Sequence, residues 1–174
     1  EAARLAKLAG KPVQVAWTRE EEFFYDTFRP AAIVKIKSGV TSSNQIVYWD
    51  YDVYFAGEGS AGQPYDAPHH RTASHGSWQG GSGFHPFSVG AWRAPASNTN
   101  IFAIESQIDH MAAQGKVDPL EFRLKNLKDQ RMRRVLDTVA AKFGRRPAPA
   151  PSGRGFGIAC GIYSGAYVAT MAEV

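Results

Sequence analysis

Arg93 is the side chain of this sequence best placed to do chemistry. It stands between Trp92 and the rigid pair Ala94-Pro95, in the run Gly90 to Asn100 that leads into a helical pattern at Ile101. A guanidinium is permanently charged and carries five donors in a planar fork. Beside bulky apolar neighbours, off a solvated face, it wants an anionic or oxygen-rich partner. Loops on a rigid scaffold carry functional residues more often than the elements they join. A structural arginine bonded to loop carbonyls fits the same position, and the residues alone leave both readings open.

Other groups could do chemistry, and each has a plainer reading. His69, His70 and His75 lie near Asp66, but not at the spacing of a recognised metal motif, so solvated histidines are favoured. Asp50 and Asp52 share one strand face opposite Trp49 and Tyr51, which describes a solvent-facing row better than a catalytic carboxylate pair. Gly153-Arg154-Gly155-Phe156-Gly157 lacks the second spacing of a dinucleotide loop and no helix follows it. A glycine-rich strand start packed close to a neighbour is the better reading. Ser82 and Ser164 have glycine neighbours without the G-x-S-x-G elbow. Cys160, the sole cysteine, lies in an apolar strand as a small core residue, and it excludes an internal disulfide or a multi-cysteine metal site.

These residues must be carried by a scaffold, and its elements can be read from the pattern. Ala2, Leu5, Ala6 and Leu8 form a helical face stopped by Gly10. Val13 to Trp17 alternates as a short strand, and Thr18 with Glu21 predicts a capping box and a helical turn through Glu22. Ile33 to Lys37 and Val47 to Phe55 alternate as two antiparallel strands joined across Thr41 to Asn44, forming the centre of a sheet. Ala56 to Gly83 keeps no period and reads as a long surface excursion; Phe87 to Trp92 reads as a short strand. Ile101, Ile104, Ile108, Met111 and Ala112 stripe one helix. Asp118-Pro119-Leu120-Glu121 starts another that reaches Leu127, and Met132 to Phe143 carries a third. Ile158 to Ile162 and Tyr167 to Val174 are strands. The expected fold is α+β, an antiparallel or mixed sheet centred on 32–38 and 46–55 and covered on one side by helices. Residues 1–144 form one unit with the Arg93 loop, 145–152 a Pro/Ala linker, and 153–174 the start of a further β segment.

The length allows one domain, or two small ones, with a real core. The formal net charge is +4, but Lys and Arg are scattered and not interleaved with aromatics, which disfavours a nucleic-acid module. No stretch has the apolar length of a membrane span and no signal peptide is visible; the compartment stays undetermined. Glu1 opens inside a helical pattern and Ala169 to Val174 reads as a strand cut short, so the chain is expected to be a fragment.

Several collinear blocks carry a resemblance. Gly90-Ala91-Trp92-Arg93, Phe102-Ala103-Ile104-Glu105-Ser106, Ile108-Asp109 and Asp118 to Leu127 resemble the molybdenum-binding subunit of the xanthine dehydrogenase and aldehyde oxidase family. So do Ala2 to Ala6, Gly10 to Val13, Trp17 to Glu21, Tyr65 to Pro68, Gly155 to Ala159, Val168-Ala169 and Ala172 to Val174. Trp92 before Arg93 and the Asn-rich helix start are most similar to the isoquinoline 1-oxidoreductase-like branch. The resemblance implies molybdopterin, in its cytosine dinucleotide form, and an iron–sulfur subunit or domain as electron acceptor. It implies oxidative hydroxylation of an N-heterocycle or aldehyde with oxygen from water. It assigns cofactor contact to Trp92, Arg93 and Ala94, and a substrate-pocket position to Pro95. Pro95 cannot stack as an aromatic would, and His69 to Trp78 holds no counterpart of a second substrate arginine; both point away from a purine. In that family a glycine-rich loop would precede Glu1, and the glutamate base would follow Val174. No catalytic residue or metal ligand is therefore expected within these residues, and the chain alone is expected to be inactive. The alternative is a non-catalytic domain that only packs against the rest of a subunit or a partner.

Overall fold

The computed structural model describes residues 1–79, 87–144 and 153–174. Ser82 and the expected linker at 145–152 lie outside them. The elements run α1 (Ala2–Ala9), α2 (Arg19–Tyr25), β1 (Ile33–Val40), β2 (Ile46–Tyr54), β3 (His69–His75), α3 (Ser97–Gln114), α4 (Pro119–Asn126), α5 (Gln130–Phe143), β4 (Phe156–Tyr163) and β5 (Ala166–Glu173). The architecture is α+β, as the sequence predicts.

Local chemistry explains the helix ends. Gly10 closes α1 in the left-handed conformation at φ 64°. The Thr18 hydroxyl accepts from the Glu21 N–H while the Glu21 carboxylate accepts from the Thr18 N–H, the reciprocal capping box. Asp118 and Asp129 cap α4 and α5 by accepting the first free N–H groups of each.

β2 is the middle strand of the first sheet, with order β1-β2-β3. It pairs antiparallel with β1, Val34 opposite Val53 and Ile36 opposite Tyr51. The β3 pairing corrects the reading of 56–83 as wholly irregular. His69 to His75 runs parallel to Tyr48 to Tyr54, Asp50 opposite Arg71. Arg71 spans Asp50 and Asp52 at 2.5 and 2.9 Å, and His75 Nε2 lies 2.7 Å from Asp52. The Asp50/Asp52 row thus stays on the solvent side of the sheet, paired with Arg71 and His75 of the neighbouring strand. Hydrogen bonding from Arg71 and His75 holds the Asp52 carboxyl well below the usual carboxylate range.

The other face of β2 makes the core. Trp49, Tyr51 and Val53 pack with Ile104, Ile108, Met111 and Ala112 of α3, Phe122 of α4, and Met132 and Leu136 of α5. β4 and β5 form a second sheet, a hairpin turned by Ser164 (φ 48°) and Gly165 (φ 79°), the backbone signs of a type I′ turn. Its Ile158 and Cys160 join the same core. Gly153 to Gly157 is a strand start, as predicted: Gly155 and Val174 exchange both backbone hydrogen bonds. The expected crowding is absent at Gly157, where an added Cβ would meet open space.

Two predicted strands are not formed. Val13 to Trp17 pairs with nothing among the described residues and is mostly exposed, so its alternation has no sheet to serve. Phe87 to Trp92 makes, among the described residues, a single parallel bridge, Phe28 to Val89. Among the described residues, no helix is long and apolar enough to cross a membrane.

Candidate functional site

The Arg93 turn begins where the chain is pinned to the N-terminal segment. Phe28 N–H donates to Ser88 O at 2.9 Å, and Gly90 N–H donates to Phe28 O at 3.0 Å. Gly90 has to be glycine, because an added Cβ would fall on the Thr27 hydroxyl and Cβ. Beyond it the backbone is bent by unusual conformations at two alanines, Ala94 at φ 54° and Ala96 at φ 61° and ψ −47°. Ser97 N–H donates to Pro95 O at 2.7 Å, so Ala96 is the centre of a three-residue turn of the strained γ kind. Non-glycine residues there cost about 1–3 kcal/mol each and persist only where their surroundings over-determine them.

Those surroundings are the first turns of α3, which starts at Ser97, a turn earlier than the apolar stripe suggests. Asn98 N–H and Asn100 N–H return to Ala94 O and Ala96 O at 3.1 and 2.9 Å, and the Asn98 amide donates to Arg93 O. Asn100 is fully buried. Its Oδ1 accepts from the Tyr51 hydroxyl at 2.7 Å, and its Nδ2 donates to Gly57 O at 3.0 Å and Gly59 O at 2.9 Å. Ser60 uses its one hydroxyl proton on Ile162 O at 2.7 Å, so the 2.8 Å contact with Ser97 is a bond donated by Ser97.

Arg93 itself departs from expectation. It is exposed, not held among apolar neighbours, and its guanidinium makes no hydrogen bond or ion pair among the described residues. The structural reading, in which it bonds loop carbonyls, is therefore not realised; Asn98 and the backbone do that work. Trp92 is also turned outward, 63% exposed. Ala94 and Pro95 are half-buried beneath them. A shallow cleft runs along this turn, lined by Trp92, Pro95, Trp78, Arg29 and Thr99, with Arg29 donating to the Thr99 hydroxyl at 3.1 Å.

A buried ionic cluster lies further along α3. The Glu105 carboxylate accepts from the Tyr65 hydroxyl (2.7 Å), Arg123 Nε (3.0 Å) and Cys160 N–H (2.8 Å). Arg123 also reaches Asp109 at 2.6 Å and the carbonyls of Pro119 and Glu105. This joins α3, α4, β4 and the 56–68 segment. Burial, with the Glu105 charge close by, pushes the Cys160 thiol up to about 12 and the Tyr65 phenol well above its ordinary value. Cys160 is a core residue, as its sequence context predicts, and carries no activated thiolate. His70 Nδ1 lies 2.9 Å from the Ala67 carbonyl and His75 Nε2 2.7 Å from Asp52, and no group of three metal-ligating side chains occurs among the described residues.

Asn100, Glu105 and Arg123 are not recognisable as a framework from single positions. The available signal is two polar residues of α3, Asn100 and Glu105, set among the apolar positions Ile104 and Ile108, and Arg123 beside Phe122 in α4. A polar residue inside an apolar stripe needs a buried partner.

Residues 1–127 match the molybdopterin cofactor-binding domain family. The chain is 28% identical over 194 residues to the beta subunit of isoquinoline 1-oxidoreductase from Brevundimonas diminuta, covering 100% of this chain and 25% of that one. It is 30% identical to a probable xanthine dehydrogenase component from Bacillus subtilis, covering 73% of this chain and 18% of that one. The fold resembles quinoline 2-oxidoreductase from Pseudomonas putida 86, with TM-score 0.69 at 16% identity over 91% of this chain and 25% of that one. The chain spans a quarter or less of the length of these relatives. It belongs to the molybdopterin cofactor-binding domains of the xanthine dehydrogenase and aldehyde oxidase family.

Proposed function

We propose that these residues form one wall of the molybdenum site in the large subunit of a hydroxylase acting on an N-heterocycle or an aldehyde. The observation that carries the reading is Arg93: an exposed fork, unpaired among the described residues, on a turn whose backbone is fixed from below. A charged group left without a protein partner, on a loop that costs conformational energy to hold, fits an anionic cofactor edge. Trp92 and Ala94, its neighbours in the chain, complete the contact; Pro95 borders the substrate. Two relatives support the heterocyclic substrate, being named for nicotinate and isoquinoline. The rigid Pro95 ring offers no stacking face, which argues against a purine.

The group that fits here, molybdopterin in its cytosine dinucleotide form, supplies the two-electron oxidation of the substrate carbon when bound. This chain's residues orient it: Arg93 holds negative charge, Trp92 shields one face from water, and the strained Ala94 turn fixes the approach. An iron–sulfur subunit or domain takes the electrons onward. The residues alone neither hold the cofactor nor turn over substrate, a reading supported by the far greater length of the relatives.

Arg93→Ala in the full subunit tests the assignment. The expected result is loss of molybdenum content or of turnover, with circular dichroism unchanged. Unchanged turnover would instead support a domain that only packs against its neighbours. Stoichiometric molybdenum in the isolated 174-residue chain would overturn the inactivity.

A further inference from the structure

Resting on the function proposed above, we propose that Asn100 is a positioning residue, which sets where the Arg93 turn sits at the cofactor without touching the cofactor itself. Its side chain is fully buried and every polar atom is used in one sense only. Two N–H groups face two carbonyls, Gly57 O and Gly59 O, and the amide oxygen faces the Tyr51 hydroxyl. No flipped amide satisfies that set, because a carbonyl cannot accept from a carbonyl.

The clamped loop is the floor of the Arg93 turn. An added Cβ on Gly59 would lie 3.3 Å from both Ala96 Cβ and Pro95 O, and one on Gly57 would lie 3.7 Å from Ala96 Cβ. Pro95 and Ala96 therefore rest directly on the backbone that Asn100 holds down. Ser60, at φ 59°, extends the same clamp to Ser97 and to β4. Tyr51 anchors Asn100 from the central strand, where it is itself fully buried. The chain of contacts runs from β2 through Asn100 to 57–60, and from there to Pro95 and Ala96. The clamp thus adds to the backbone bonds from Asn98 and Asn100 that hold the two strained alanines.

Two substitutions perturb the floor differently. Asn100→Asp keeps the shape but turns both donors into acceptors facing carbonyls. Gly59→Ala leaves Asn100 intact and presses the floor upward against Pro95 and Ala96. Both are made in the full subunit with its electron-accepting partner, beside Arg93→Ala. Misplacing a positioning group by about 1 Å costs on the order of a hundredfold in rate. For Asn100→Asp the expected result is a fall in kcat of at least about tenfold, with KM changed less than about threefold. The electron paramagnetic resonance signal of the partly reduced centre should change shape, and backbone amide exchange in residues 88–99 should quicken. Gly59→Ala should show the same signature more weakly.

If both variants keep kcat, the resonance signal and the exchange pattern while Arg93→Ala is impaired, the positioning role is wrong and the site assignment stands. If Arg93→Ala is also unaffected, the site assignment itself has failed. Should Asn100→Asp not fold, Gly59→Ala decides by the same readouts. A uniform loss of stability with an unaltered resonance signal would mark a merely structural residue.

Discussion

Replacing Glu105 tests whether the buried ionic cluster holds the helices and the hairpin together. Alanine at this position removes the acceptor for three donors at once: the Tyr65 hydroxyl, Arg123 Nε and Cys160 N–H. Arg123 is fully buried, and removing one partner of a buried pair costs about 3–5 kcal/mol. Asp109 remains 2.6 Å from Arg123, but its side chain is 45% exposed, so it compensates only in part and the lower end of that range applies. The stranded Cys160 N–H adds about 1–3 kcal/mol, and the sum is about 5 kcal/mol. Glutamine behaves differently. Its oxygen can take the place that receives Arg123 and Cys160, while its amide donates to Tyr65, whose hydroxyl rotates to accept. Only the charge is lost, costing about 2 kcal/mol. Urea unfolding followed by circular dichroism measures both, and at about 2–4 °C per kcal/mol the alanine variant should melt some 10–20 °C lower. A double-mutant cycle of Glu105→Gln with Arg123→Met should give a coupling of about 1–3 kcal/mol. Equal costs for alanine and glutamine, or an alanine cost below about 1 kcal/mol, would refute the reasoning.

Two further outcomes are expected. The buried, high-pKa Cys160 thiol should resist iodoacetamide at pH 8 in the folded chain and react fully in urea; rapid labelling of the native protein would contradict its placement. The depressed Asp52 carboxyl contributes stability that is present above the ordinary carboxylate pKa and lost as pH falls through the acid range below about 4. The stability gap between wild type and Asp52→Asn should therefore narrow from pH 6 to pH 3, and narrow further in salt. A gap independent of pH would count against the Arg71–Asp52–His75 arrangement.

Local signals in the sequence are dependable where the physics is local. Thr18 with Glu21, Asp118 with Pro119, and Gly10 each mark a helix end within a few residues. The alternation of Trp49, Tyr51 and Val53 needs only a period. β3 is hidden because His69 to His75 has no apolar face to alternate; its pairing depends on Asp50 and Asp52 of another strand meeting Arg71. Val13 to Trp17 shows the converse, a proper period with no partner strand. Arg93 stands out by its neighbours in sequence, yet its exposure depends on a turn that rests against Gly57 and Gly59. The Asn100–Tyr51 bond joins positions 49 apart, and no window along the chain contains both.

The Glu105 cluster also implies an order of events as the chain folds. Arg123 lies 18 residues from Glu105, Tyr65 lies 40 away and the Cys160 N–H lies 55 away. The helix pair can form by closing a short loop, while the hairpin must cross a much longer one before it adds its donor. Until β4 docks, the carboxylate keeps its water; docking strips that water and seals the charge inside. Substitutions at Cys160 or along β4 should then act mainly on how fast the finished molecule opens, and those at Arg123 on how fast it assembles.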